Sequence, residues 1–170
     1  MKRLIPLFLL TSVIVIAGFS GCGADRSPRG MLARVNASNI QRLANLYNRY
    51  QSEHRWVGPA SEEEFRKYVD GLPANRLELL GVDPNDIDGL FRSERDGENF
   101  VFRYRVPGSA MGKVDPVVFE RTGVNGKRMV GFTNKPPMEV DEADYNDYLA
   151  GKFVSDKADR GTDVPGLPQR

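Results

Sequence analysis

Cys22 is the residue whose type and setting point most directly to chemistry, because it is the only cysteine in the chain. A lone thiol excludes an intrachain disulfide, a CxxC redox pair and a cysteine-rich zinc site. Its neighbours Gly21, Gly23 and Ala24 are small and offer no apolar core, so a buried structural cysteine is not expected. Cys22 is therefore predicted to be a point of attachment.

The segment before Cys22 has the three parts of a secretory signal peptide. Lys2 and Arg3 supply a positive end, residues 4–19 form an apolar run, and two small residues precede the cysteine. The positive end stays in the cytoplasm while the apolar run enters the bilayer. Two alternatives remain open: residues 4–21 are retained as a transmembrane anchor, or the chain is secreted with a free thiol.

The stretch Phe19-Ser20-Gly21-Cys22 resembles a bacterial lipobox, with Phe where that motif usually has Leu. The resemblance implies that the thiol is diacylated, that the peptide is cut before Cys22, and that the new amine is acylated. Two or three acyl chains anchor a protein stably to membrane lipid. The domain would then lie outside the cytoplasm in the cell envelope. Gly23 follows the cysteine where an inner-membrane retention signal has Asp, which favours the outer membrane if the cell has two membranes.

Charge and composition exclude several other classes of function. The chain has 170 residues with 24 Lys+Arg and 23 Asp+Glu, and this balance provides no basic face for nucleic acid. With one histidine, His54, a multi-histidine metal site is not expected. No phosphate-binding glycine loop or HExxH motif occurs, so no cofactor is predicted. The predicted partners are membrane lipid, through acylated Cys22, and an unknown envelope protein.

Carboxylates are the remaining groups able to catalyse a reaction. The sequence DPNDIDG at residues 83–89 brings three aspartates together, but an EF-hand alignment lacks the first ligand and the bidentate Glu. The predicted structure is an acidic turn that caps local backbone. A secreted hydrolase acting through Asp83, Asp86 or Glu94 is an alternative function, although the pattern selects no pair. The chain is expected not to be an enzyme.

Helical patterning dominates the first half of the domain. Apolar residues recur at three- and four-residue steps from Leu32 to Tyr50, and Ser38 with Gln41 fits a capping box that starts a regular helix near residue 38. Trp56 is predicted to pin the end of this helix to the sheet. Further helices are predicted to start at Ser61, with Glu64 in its capping box, at Pro73, ending at Gly81, and at Asp141.

The pattern changes to alternation in the second half. Asp96-Gly97 and Asn125-Gly126 each lie between alternating segments, which is typical of hairpins. Phe100, Phe102, Tyr104 and Val106 are expected to share one face. The predicted strands are residues 90–95, 98–106, 116–121 and 128–133, with Pro136-Pro137 ending the last and a short edge at 138–140.

Six arginines are predicted to gather on the outer face of this sheet. Acidic residues are interspersed among them, so cross-strand ion pairs are the expected arrangement. The arginines are Arg92, Arg95, Arg103, Arg105, Arg121 and Arg128, and the acids are Glu94, Asp96, Glu98 and Glu120.

The order of the elements predicts an α+β fold, with N-terminal amphipathic helices packed on an antiparallel sheet of about four strands and a short C-terminal helix. The polar C-terminal segment is predicted to be disordered. The boundaries are residues 1–21 for the signal peptide, 22–30 for the lipid anchor and tether, 31–150 for a single α+β domain, and 151–170 for the tail.

Two long segments resemble bacterial pseudopilin-like secreted proteins. NIQRLANLYNRYQSEHRWVGPAS, residues 39–61, is similar to their Asn-x-x-x-Leu helix with tyrosines and a turn into Gly-Pro. Residues 116–149 are similar in layout to their antiparallel sheet and small final helix, with Asn134 to Pro137 where that family has Asp-Gly-His. The resemblance implies a pilin-like globular head.

The prediction for function is therefore a membrane-anchored bacterial lipoprotein that acts as a non-catalytic binding or structural module. A minor pseudopilin-like component of a secretion or pilus system is the second hypothesis. Its prepilin motif would need a Glu at the fifth position after the glycine, whereas residues 18–23 read Gly-Phe-Ser-Gly-Cys-Gly.

Overall fold

The computed structural model describes residues 36–152, and within them helices come first and the sheet follows. The predicted α+β class, with a four-stranded antiparallel sheet and a short C-terminal helix, is confirmed. The predicted signal peptide, Cys22, the tether and nearly all of the tail lie outside the described residues. The elements are α1 (Asn39–Glu53), α2 (Glu62–Asp70), α3 (Ala74–Leu79), α4 (Ile87–Leu90), β1 (Val101–Phe102), β2 (Pro116–Phe119), β3 (Arg128–Phe132), β4 (Lys135–Val140) and α5 (Glu142–Leu149).

The four strands form an antiparallel meander in the order β1-β2-β3-β4. The predicted Asn125-Gly126 turn is confirmed between β2 and β3. Both residues have left-handed φ, 54° and 74°, and the flanking Val124 and Lys127 exchange backbone hydrogen bonds of 2.9 and 3.0 Å. Left-handed backbone at both central positions is what an Asn-Gly hairpin turn supplies.

Helices cover both faces of the sheet. Val118 belongs to the core that α1 contacts, whereas Phe119 belongs to the cluster formed with α5, and neighbouring strand residues point to opposite faces. On the α1 face, Gly131 permits close approach, since a Cβ there would lie 2.9 Å from Cγ1 of Ile40. On the other face, the Tyr145 ring packs edge-on against Phe119 at 5.6 Å.

The predicted strand at residues 90–95 is wrong. Asp86 accepts a 2.9 Å hydrogen bond from the N–H of Gly89 and starts the single turn of α4 instead. The Asp96-Gly97 turn is present, with a φ of 74° at Gly97. It closes only one isolated bridge, between Arg92 and Asn99.

The predicted strand at 98–106 shortens to the two residues of β1. Arg105 has a φ of 54°, which takes the backbone out of the extended region and ends the alternation. Phe100, Phe102 and Val106 are buried as expected, but the Tyr104 side chain is exposed.

The prediction that Pro136-Pro137 ends a strand is also wrong, because both prolines lie inside β4. β4 is an edge strand that pairs only with β3 in the described sheet. Proline lacks an N–H donor, and an edge strand tolerates it where that donor would have faced away from the sheet.

The start of α1 depends on a distant residue. Ser38 makes no side-chain capping bond, so the predicted capping box with Gln41 is wrong. The N–H of Asn39 instead donates a 2.8 Å hydrogen bond to Glu94, and a carboxylate is favourable at a helix N-terminus.

The caps of α2 and α5 follow the sequence more closely. Ser61 accepts from the N–H of Glu64 at 3.2 Å, although the Glu64 carboxylate returns to the N–H of Ala60 at 2.7 Å. Asp141 accepts from the N–H of Asp144 at 2.9 Å, which confirms its predicted cap.

Candidate functional site

Cys22, the residue predicted to be acylated, lies outside the described residues, so its modification stays a prediction. Within residues 36–152, none of the helices combines the length and apolar character required to cross a membrane. The candidate sites below belong to the domain that follows the tether.

The acidic segment at residues 83–89 caps local backbone, as predicted. The Asp83 carboxylate accepts a 2.8 Å bond from the N–H two residues later, and Asp86 caps α4. Asp88 forms an ion pair of 2.8 Å with Arg66. In the described part of the chain, no cluster of three side chains suited to a metal ion occurs.

The carboxylates named for a hydrolase lie around one guanidinium. Asp83 and Asp86 line a cavity of about 230 Å³ together with Arg42. Glu94 lies 3.9 Å from the Arg42 guanidinium and also accepts from the N–H of Asn39. Each carboxylate thus has a backbone or ionic partner, and the hydrolase hypothesis stays a prediction without added support.

Arg95 forms two ion pairs, but it does so from the turn before β1 and not from a strand. Its guanidinium lies 3.4 Å from Glu120 and 2.7 Å from Glu139. Glu120 is only 1% exposed and accepts further hydrogen bonds from Ser93 Oγ at 3.0 Å and from the N–H of Met129 at 2.7 Å. The burial of Glu120 has no signal in the sequence.

The other arginines of this set have different partners. Arg128 pairs with Glu142 of α5 at 2.9 Å, so the pair joins a strand to a helix. Arg103 and Arg121 donate to the backbone carbonyls of Pro116 and Asn99. Among the described residues, none of the ion pairs made by these six arginines joins two strands, so the predicted cross-strand arrangement is wrong.

A groove between α1 and α3 is the first candidate for binding. It has a volume of about 330 Å³ and an apolar floor of leucines beside two arginines. Leu79 is 55% exposed there, and Arg76 makes no ion pair within the described chain. The groove can hold an apolar group against the leucines and an anionic group beside a guanidinium. Its lining residues are Asn45, Leu46, Arg49, Arg76, Leu79 and Leu80.

The end of α1 is held by aromatic packing. The His54 ring stacks on Tyr50 with centroids 3.9 Å apart, and its Nδ1 lies 2.8 Å from the Tyr50 carbonyl oxygen. Burial, together with the hydrogen bond that Tyr50 donates to Glu64, raises the pKa of Tyr50 to about 12. His54 therefore packs against the end of α1.

The backbone of Trp56, more than its side chain, is seen to link the end of α1 to the segment after β1, and the predicted role of its ring in pinning the helix stays a prediction. Arg55 and Trp56 both have left-handed φ, 56° and 62°, and the Trp56 side chain is 36% exposed. The backbone is nevertheless fixed. The Trp56 N–H donates to Gln51 O at 2.8 Å, and Trp56 O accepts from the N–H of Gly108 at 2.7 Å.

Two backbone segments meet at Trp56 and form a second candidate site, which we call the paired-loop surface (residues 55–59 and 104–111). Gly58 N–H donates to Val106 O at 3.0 Å, and Arg105 N–H donates to Pro59 O at 2.9 Å. Of the five large hydrophobic side chains exposed in the described residues, this surface carries all except Leu79. They are Trp56, Val57, Tyr104 and Met111.

The sequence did not predict this surface. Alternation placed Tyr104 on one face with Phe100, Phe102 and Val106, whereas Trp56 was expected to pin the end of α1 to the sheet. Comparisons with protein-family models, with curated proteins and with solved structures gave no match.

Proposed function

We propose that the protein is a membrane-anchored bacterial lipoprotein whose α+β domain is a non-catalytic binding module of the cell envelope. The observation that carries this proposal is Ser20-Gly21-Cys22 directly after an apolar run with a positive end. Acylation of Cys22 would place the domain on the outside of a membrane, at the end of a short polar tether. With Gly23 after the cysteine, the outer membrane is the expected location if the cell has two membranes.

Two features of the domain support a binding role. The groove between α1 and α3 and the paired-loop surface each present apolar side chains to solvent beside arginines. Apolar surface of this kind costs free energy when it is left in water, and it marks sites of interaction.

One observation favours the second candidate, a minor pseudopilin-like component of a secretion or pilus system. α1 packs along β2 and β3 of an antiparallel meander, which is the layout that the resemblance to pseudopilin-like proteins implied. In that case residues 4–21 would be retained as a transmembrane helix.

The mass of the intact chain purified from membranes separates the two proposals. We expect a chain that begins at Cys22 and carries the added mass of a diacylglyceryl group, with or without a third acyl chain. A Cys22→Ser variant should keep its leader and lack the lipid. An uncleaved wild-type chain, or a methylated N-terminus before Cys22, would contradict the lipoprotein proposal and favour the pseudopilin.

A further inference from the structure

We propose that the paired-loop surface rests on the anionic lipid surface of the membrane to which the protein is anchored. This inference relies on the proposed function for the anchor itself. It adds an orientation: the end of the domain that carries Trp56 faces the bilayer.

The exposed side chains of this surface have the chemistry of a membrane interface. Trp56, Val57 and Met111 are 36%, 45% and 96% exposed. Tryptophan is favoured at the level of lipid headgroups, where its ring is partly apolar and its N–H finds a polar partner. Valine and methionine at loop tips can enter the acyl boundary beside it.

The backbone of this surface is strained at three residues. Five residues other than glycine have left-handed φ in the described chain, and two of them are asparagines in turns, where that conformation is common. The other three, Arg55, Trp56 and Arg105, all lie on the paired-loop surface. Strain of this kind persists only where the surrounding structure enforces it, and it concentrates at functional positions.

The contacts that hold this strained backbone in place surround Gln51. Its side chain is 1% exposed, and it donates a 2.8 Å hydrogen bond to Val106 O. Its own carbonyl accepts from the Trp56 N–H at 2.8 Å. The fold therefore holds both segments together, with 36% of Trp56 exposed to solvent.

Arg55 and Arg105 supply positive charge to this surface. Both are exposed and, within residues 36–152, neither forms an ion pair. Glu53 pairs with Arg49 at 2.7 Å. Hydrogen bonds from Tyr50 and from the N–H of Ala60 lower the pKa of Glu64, and the nearby charge of Arg105 lowers it further. Exposed guanidinium groups beside Trp56 are complementary to lipid phosphates.

The shape of the surface favours a bilayer over a peptide. The exposed side chains stand on turns and loop segments, and the two cavities described above are lined by other residues. Peptide ligands usually enter a groove or pair with a sheet edge, whereas exposed apolar side chains on loops are suited to insertion into a lipid interface.

The length of the tether permits this orientation. Asn36 is the first described residue, and its side chain accepts a 2.9 Å hydrogen bond from the Asn45 side chain. The described chain therefore begins near the N-terminal end of α1. The 15 residues of α1 span about 22 Å. Residues 22–35 reach at most about 48 Å when fully extended, so the acylated end and Trp56 can meet the same membrane.

Trp56 is the only tryptophan in the chain, so its fluorescence reports on this surface alone. The test uses the mature protein reconstituted in vesicles of phosphatidylglycerol and phosphatidylethanolamine with brominated acyl chains. We expect a blue shift of the emission and quenching by about twofold or more, as for a ring at headgroup depth. In vesicles of phosphatidylcholine, or with Arg55→Gln and Arg105→Gln combined, the quenching should fall.

Two matched variants test whether the quenching depends on the paired-loop surface or on any exposed apolar side chain. Met111→Asp should weaken the quenching, whereas Leu79→Asp, at an exposed leucine of the α1–α3 groove, should leave it unchanged. A vesicle-bound protein whose Trp56 stays unquenched by brominated lipid and open to acrylamide would overturn the proposal. Wild-type protein that fails to sediment with vesicles would instead contradict the lipid anchor, so the two failures are distinguishable.

Discussion

The carboxylate of Asp96 accepts a 2.7 Å hydrogen bond from the backbone N–H of Gly123, which ties the first predicted hairpin turn to the loop after β2. It also accepts from the N–H groups of Thr122 and Glu98, each at 3.1 Å. Burial disfavours the charged form of Asp96, but the three backbone donors outweigh it and lower the pKa of the carboxyl. Asp96 thus connects two turns that the sequence predicts separately.

Asp96→Asn should lower the free energy of unfolding by about 1 kcal/mol at pH 7, a value that allows for solvent screening of a half-buried group. Since the folded pKa lies below the unfolded value of about 3.9, Asp96 stabilises the fold above that value. The contribution is lost as the pH falls through the folded pKa. Urea denaturation at several pH values measures this.

Glu98→Gln is the matched control for Asp96, because the Glu98 side chain has no partner among the described residues. We expect little change in stability at any pH. If Asp96→Asn still lowered the free energy of unfolding at pH values well below the folded pKa of Asp96, the proposed role of the ionised carboxylate would be wrong.

Glu120→Gln should destabilise the protein by about 2 kcal/mol, because a neutral amide loses the ion pair with Arg95 and weakens the buried hydrogen bonds from Ser93 and from the N–H of Met129. Glu139→Gln also removes an ion-pair partner of Arg95, but at the surface, where the loss is below about 1 kcal/mol. Thermal unfolding of both variants measures the difference. Equal losses of stability in the two variants would show that burial does not increase the contribution of Glu120 to stability.

Gly131→Ala should destabilise the protein by about 1–3 kcal/mol, since the new Cβ would lie 2.9 Å from Cγ1 and 3.1 Å from the carbonyl oxygen of Ile40. Gly71→Ala is the control. Its Cβ would meet only ordinary contacts at 3.4 Å or more, so we expect no loss, or a gain of about 0.5 kcal/mol. Chemical denaturation of both variants tests whether α1 approaches β3 this closely.

Glu94→Ala should cost about 0.5–1 kcal/mol, because the N–H of Asn39 at the start of α1 loses its acceptor. Ser38→Ala should have a smaller effect, since the Ser38 hydroxyl makes no capping bond. Helical circular dichroism during denaturation follows both. A larger loss for Ser38→Ala would support the local capping box after all.

Local sequence signals predicted those features of the fold that depend on neighbouring residues. Asn125-Gly126 supplies left-handed backbone directly, and Asp141 reaches a free N–H three residues later. The predictions failed where a distant group competes, as when Glu94 replaces Ser38 at the start of α1. They failed also where backbone leaves a strand, as at Arg105.

The sequence by itself determined the α+β order of helices and strands, because that order depends on hydrophobic periodicity. It is also the sole basis for the prediction that Cys22 is acylated, since that prediction depends on residues adjacent in the chain. Only the tertiary structure decided that Glu120 is buried, that Trp56 is partly exposed and that residues 56–59 pair with 105–108. Those features arise from contacts between residues far apart in sequence. Neither propensity nor pattern specifies which polar groups such contacts bury.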